Sequence, residues 1–427
     1  MPTLPPSVQC FTLSNGLRVY LREDHRAPLI SAQLWYHVGA SHETPGQTGI
    51  SHLLEHLMFE GSSKLAPGEY STLMTRIGAE PNAFTTHDAT VYPLTLPANR
   101  LEIGLEAMAD AMASAKLDPA PFGRERNVVI AERRSDIDNY PLARALEQHT
   151  ILAHGSSRYA NPVIGHLADL QQFTEANARA WYQAWYRPNN ASLAVAGAID
   201  LGHLRSLVQR HFAAIAAAPL PPTRAPRADI DLARRSQTLR QAGLRSGVLM
   251  SFNVPSHCTA ASAELTLALS LIPDLLGEGR SARLKRRLIY QTPLLQALSC
   301  QYDPLKRGDT LLHVYAFTAD TTTPEAAAER LLDEIEALGR SAPLPEELER
   351  AKARLRARQV FARDDIADQA HAIGQRAAIG LAPALMDHEQ QAVEAVSAEQ
   401  VRQAAALYLT AQRVTITFMH DENDADE

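Results

Sequence analysis

The chain has 427 residues, 45% of them hydrophobic, which is ample for buried cores and long for one domain, so two or more domains are expected. With a formal net charge of −7 and 21% charged residues, it offers no whole-chain electrostatic reason to bind nucleic acid or an anionic membrane. Cys10, Cys258 and Cys300 are odd in number and far apart, which argues against a disulfide framework or a cysteine-ligated zinc site.

The first residues, MPTLPPSVQCFTLSNGLRVY, hold no basic stretch followed by an apolar run, and no later segment is apolar for long enough to span a bilayer. The sequence reads as cytoplasmic; a mature periplasmic protein with its signal removed reads the same way. Strand-like alternation runs through Leu17 to Arg22, after the Asn15-Gly16 turn, and again from Leu29 to Val38. The period then changes: Ile50, Leu53, Leu54, Leu57 and Met58 mark a helix with one packed face, stopped near Gly61. A helix over Tyr70 to Ile77, an extended run from Asn82 to Leu94, and helices over Leu101 to Ala115 and Pro121 to Ile137 follow.

Thr174 caps a helix to Trp185, and YRPNN then leads into the strand-like ASLAVAG, Ala191 to Gly197. The chain's end repeats this arrangement: Ser397 caps a run through Tyr408, and Arg413 to Met419 alternates as a strand, offset by about 223 positions. Between the copies, LPPTRAPRADI is rich in proline and charge and reads as a linker at 220–230. Two related lobes are therefore expected, over 1–219 and 231–427, in an α+β arrangement. The second lobe carries a strand at Val248 to Val254, a helix from Ala263 to Leu276 interrupted near Pro273, and charged helices at Pro324 to Leu338 and Pro345 to Phe361.

The chemistry is concentrated in HLLEH, His52 to His56. One helical turn separates the two histidines, so both imidazoles project from one face as a shared metal requires, with Glu55 beside them. Two imidazoles and an adjacent carboxylate are the materials of a zinc site that activates water. A catalytic zinc takes a third protein ligand, and ERNVVIAERRSD offers Glu125 and Glu132, nearly two turns apart on one helix face. Glu132 reads as the ligand and Glu125 as a supporting carboxylate that orients a histidine or modulates the water; surface placement of either is the alternative.

These pieces, together with LSNGLRVYL, GISHLLEHLMFEGS, NAFTTHDATVY and NPVIG, resemble the pitrilysin-type, or inverzincin, zinc metallopeptidases, and within them the bacterial and mitochondrial-processing-peptidase-like branch. The resemblance implies two homologous lobes, each a largely antiparallel sheet packed with helices, forming a clamshell, with no metal motif in the second. It implies one Zn(2+) per chain on His52, His56 and Glu132, Glu55 as catalytic base, and Glu125 in support. It also implies that Asn82, Ala83, Phe84 and Thr85 form an edge strand that binds an extended peptide; an exposed strand edge pairs with any extended backbone, and Phe59 either lines a nearby apolar subsite or is an ordinary core residue.

Members of that family complete the site with an arginine and a tyrosine from the second lobe in an R(x)6Y arrangement. Here the corresponding segment is GEGRSARLKRRLIYQTPLLQALS, which puts Ile289 and Gln296 at those places, with Arg287 and Tyr290 nearby at the wrong spacing. The expectation is a zinc-bearing subunit completed by a homologous partner carrying the Arg/Tyr pair; a self-sufficient homodimeric peptidase and a noncatalytic assembly subunit are the rivals. The basic cluster Arg280, Arg283, Lys285, Arg286 and Arg287 is either a docking patch for partner or acidic peptide, or a solvated helix face.

Overall fold

The computed structural model describes residues 7–226 and 233–422. In chain order the first half forms β1 (Gln9–Thr12), β2 (Arg18–Glu23), β3 (Leu29–Tyr36), α1 (Ile50–Leu57), α2 (Glu69–Arg76), β4 (Glu80–Pro81), β5 (Phe84–Thr85) and β6 (Thr90–Pro97). Next come α3 (Leu101–Ser114), α4 (Pro119–Arg133), α5 (Pro141–His154), α6 (Leu167–Gln172), α7 (Glu175–Trp185), β7 (Ala191–Gly197) and α8 (Leu201–Phe212). The second half runs β8 (Arg235–Gln241), β9 (Gly247–Val254), α9 (Ala263–Leu276), the single turn α10 (Arg283–Lys285), β10 (Leu295–Tyr302) and β11 (Thr310–Thr318). It ends with α11 (Pro324–Arg340), α12 (Pro345–Phe361), α13 (Ile366–Ala378), α14 (Glu389–Ala395), α15 (Ala398–Tyr408) and β12 (Val414–Asp421).

The architecture is α+β with two sheets. The first has the order β1-β2-β7-β3-β6-β4, with β5 also on β6; the second has the order β10-β11-β9-β12-β8. Pairing is antiparallel except for β2 with β7 and β8 with β12. The same path therefore recurs: a first strand parallel to a last one, which then pairs antiparallel with the second strand. The repeated helix and strand are the closing pieces, and both helices start alike. Thr174 and Ser397 each accept from the backbone N–H three residues on, and Asn177 and Gln400 reciprocate, satisfying N–H groups that the helix leaves unpaired.

The chain divides into two compact units, Met1–Arg133, Asn161–Arg224 and Phe361–Asp387 in one, Arg134–Ala160, Ala225–Val360 and His388–Glu427 in the other. The expected linker is described only to Pro226; its residues 227–230 lie outside the described residues. Segments 134–160 and 361–387 each belong to the unit opposite to their place in the sequence, so a single cut at 220–230 does not reproduce the compact units.

In the first unit, one sheet face packs Leu17, Leu34 and Leu193 against the apolar faces of α1, α3, α7 and α8, and the other face carries Trp35, Val91 and Ala194 beneath α13. In the second unit, Met250, Val314 and Ile416 face α9, α11 and α15, while Leu249 and Met419 face α5. No helix among the described residues is long and apolar enough to cross a membrane.

Candidate metal centre

The apolar stripe Ile50, Leu53, Leu54 and Leu57 is fully buried and fixes the roll of α1. That leaves His52, Glu55 and His56 together on its remaining face. The helix begins at Gly49, at φ 90°, where a Cβ would lie 2.6 Å from the Ile164 carbonyl oxygen and 2.8 Å from Gly165 Cα; only glycine fits. Gly49 has no side chain to cap the helix. Glu43, fully buried, takes that role: Oε2 accepts from Gly49 N–H at 2.7 Å and Oε1 from Ser51 N–H at 2.9 Å. Burial pushes this carboxyl up to about 8 against the pull of those two donors. Nothing in the sequence pattern singled out Glu43; the available signal was a helix start with glycine at the cap and a lone acid six residues before it.

Helix α4 packs on α1 and brings both expected glutamates to the histidines. Glu132 Oε1 lies 3.8 Å from His52 Nε2, and its Oε2 lies 3.5 Å from His56 Nε2. One ligand atom from each of the three residues falls within 4.8 Å of the others. Ligands at zinc bond length in a tetrahedron stand about 3.3 Å apart, so two imidazoles and one carboxylate at these spacings fit that ion, with a fourth position left over. Glu125 Oε2 is 3.5 Å from His56 Nδ1, on the side of the ring away from Glu132. His52 Nδ1 is buried without a hydrogen-bond partner among the described residues, so a second carboxylate steers only one of the two rings.

Burial lowers His52 to about 4, leaving it neutral, the form that ligates. Burial also works to lower His56, but its hydrogen bond with Glu132 and the charges of Glu55, Glu132 and Glu125 outweigh this and raise it. Glu55 is 7% exposed, and burial pushes it up to about 6, toward the range where a carboxylate is a useful base. Its Oε2 accepts from the Thr85 hydroxyl at 2.6 Å.

Asn82 is exposed, and Ala83, Phe84 and Thr85 are half-buried. The extended run expected from Asn82 to Leu94 is broken after Thr85, because Thr86 N–H and its hydroxyl both bond to the Ala89 carbonyl and close a turn into β6. Among the described residues β5 pairs with β6 and with no other strand of the sheet, and it lies beside α1. Phe59 is half-buried, packs on Tyr70 and Tyr92, and lines an apolar pocket with Tyr36, Met58 and Met108.

In the second unit, Arg287 is ion-paired with Glu334, and Tyr290 stands exposed with the Arg280 guanidinium 5.7 Å from its ring. Ile289 packs on the core, and Gln296 on β10 bonds to Arg245 and Asp320. Arg283 is bound by both oxygens of the buried Glu347, so the basic cluster is not a uniformly free face.

The family model described as insulinase (peptidase family M16) matches residues 18–165, and that described as peptidase M16 inactive domain matches 172–355. The zinc protease PqqE of Helicobacter pylori is 29% identical over 340 residues, covering 78% of this chain and 74% of its own. The mitochondrial-processing peptidase subunit beta of Lentinula edodes is 23% identical over 424 residues, covering 95% of this chain and 88% of its own. A crystal structure of a protease from Helicobacter pylori shares the fold at a TM-score of 0.90 and 24% identity, covering 97% of this chain and 99% of that one. With the two models succeeding one another along most of its length, this chain belongs to peptidase family M16, the insulinase- and pitrilysin-type zinc metallopeptidases.

Proposed function

We propose that this chain is the zinc-bearing subunit of a metalloendopeptidase that cleaves extended or unfolded polypeptides, completed by a homologous partner carrying an Arg/Tyr pair. The observation that carries the reading is the convergence of His52, His56 and Glu132 beside Glu55 and strand β5. His52, His56 and Glu132 would hold the ion. A zinc bound there supplies Lewis acidity toward a carbonyl oxygen and a water molecule.

Glu55 acts as the base, removing a proton from the attacking water and returning it to the leaving amine. Thr85 donates to one oxygen of Glu55 and so orients the other for that transfer. Glu125 faces Nδ1 of His56 and holds that ring with Nε2 toward the ion. Strand β5 pairs with the substrate backbone, which makes recognition depend on an extended conformation more than on side chains. The partner reading is supported by Arg287 being occupied by Glu334 and by a glutamine at the expected tyrosine position. A relative named as a subunit supports it as well.

The test is cleavage of unstructured peptides by the purified chain, alone and with a homologue that carries the Arg/Tyr pair. The reading predicts zinc-dependent activity only with both, lost in Glu55→Gln without loss of zinc. Robust cleavage by the chain alone contradicts the need for a partner and favours the self-sufficient homodimer.

A further inference from the structure

We propose that His371, on α13, is a positioning residue for the peptide-binding strand β5 and, through that strand, for Glu55; the inference rests on the reading of β5 and Glu55 given above. Strand β5 is two residues long and pairs with β6 only at Phe84 opposite Val91 and Thr85 opposite Thr90. So short a ladder does not fix its own geometry. Its two side chains leave on opposite faces, as strand geometry requires. Thr85 points to α1 and donates to Glu55. Phe84 points to the other face, where it packs with Trp35, Val91 and Ile373.

On that face the wall against Phe84 is supplied by α13, whose sequence lies in the second half of the chain but which belongs to the first compact unit. The His371 ring lies 5.6 Å from the Phe84 ring, tilted by 33°, and 5.1 Å from the Trp35 ring, edge-on at 65°. Trp35 is itself 2% exposed, and its edge meets Phe84 at 6.0 Å and 87°. The three rings therefore form one packed cluster that ends at the substrate strand.

The helix beneath them has little freedom. A Cβ at Gly374 would overlap the indole nitrogen of Trp35, so the backbone of α13 sits directly against that ring. Gln33 on β3 donates to the Ala367 carbonyl at 2.9 Å, pinning the start of the helix. Ile373 is fully buried and anchors its middle. These contacts hold α13 in place without His371. Removing the imidazole takes away one side of the Phe84 slot and leaves the docking of the helix standing, so the loss is felt at β5.

The experiment uses the full chain with zinc and whatever partner cleavage requires, comparing His371→Ala with His371→Phe. An aromatic contact of this kind corresponds to roughly a three- to tenfold effect, expected as a rise in KM for an extended peptide with zinc content unchanged. His371→Phe, which restores a ring, returns KM to near wild type. In a Phe84→Leu background, His371→Ala adds little, because both act through one contact.

Hydrogen exchange of the 82–86 amides gives a readout independent of catalysis and is expected to speed up in His371→Ala, with the amides of α1 unchanged. Unchanged KM and unchanged exchange at 82–86 in His371→Ala overturn the proposal, and so does a Phe variant as impaired as the Ala variant. A zinc-loaded wild type that cleaves nothing, together with faster exchange at 82–86 in His371→Ala, defeats the peptidase reading and leaves the link between α13 and β5 standing.

Discussion

His56 meets two carboxylates from one helix, and they face different ring nitrogens: Glu132 lies toward Nε2, on the side of His52, and Glu125 toward Nδ1. Their roles separate by experiment. Glu125→Gln keeps the shape but loses charge, and zinc affinity measured by chelator competition should fall by about 10- to 100-fold. Thr85→Val removes the hydroxyl that orients Glu55 and should lower kcat/KM by roughly tenfold, the equivalent of one hydrogen bond to a charged group, with zinc content unchanged. An unaltered kcat/KM would remove Thr85 from the mechanism. At this scale the HLLEH spacing was legible because a helix converts i and i+4 into one face, and seven residues of α4 carry Glu125 and Glu132 to the same side. The hydroxyl of Thr85, the carboxylate of Glu43 and the ring of His371 reach the site through tertiary contacts, for which a sequence period has no signature.

Helix α1 depends on a cap contributed from outside itself. Glu43→Ala leaves the N–H groups of Gly49 and Ser51 unpaired in a buried place, at a cost of about 2–4 kcal/mol, to be read as a fall in denaturation midpoint. A shift below about 0.5 kcal/mol would mean that Glu43 is not the cap. Most elements announced themselves through wide apolar stripes or capping residues, as α1, α7 and α15 did. Helices α5 and α13 were not read from the sequence, although Asp365 caps α13 by accepting from the Ala367 and Asp368 N–H groups. Their buried faces are rich in small residues, Ala145 and Ala153 in one and Ala370, Gly374 and Ala377 in the other, which let a helix lie close on a sheet but stand out less in a sequence than a stripe of leucine and isoleucine. A division of the chain by linear sequence therefore missed the exchange of these two segments between the compact units.

Across the whole molecule, three histidines away from the metal centre, His149 buried and His37 and His313 half-buried, should make stability depend on pH. Burial lowers His37 and His149 to about 3 and His313 to about 4. His37 accepts from Arg18 at Nδ1 and bonds Ser192 at Nε2, while His149 and His313 are both bonded to the Ser251 hydroxyl. The folded state keeps them neutral and the unfolded state protonates them near pH 6.5. Their contribution is thus complete above that pH and is lost as pH falls toward 4. Glu43, raised by burial, works in the opposite direction over the same window. Together these shifts make stability fall as the pH drops from 7 to 5, a loss to be read by urea unfolding across that range. A flat profile would contradict it.

The assignment of one zinc to His52, His56 and Glu132, with Glu55 acting on water without holding the metal, is a proposal about which side chains touch the ion. It is tested most directly by metal analysis and zinc titration of the purified chain beside His52→Ala, His56→Ala, Glu132→Ala and Glu55→Gln. One tightly held zinc is expected in the unaltered protein and in Glu55→Gln, and its loss in each of the other three. Retention of zinc at unaltered affinity in any of those three, with the fold intact, would contradict it.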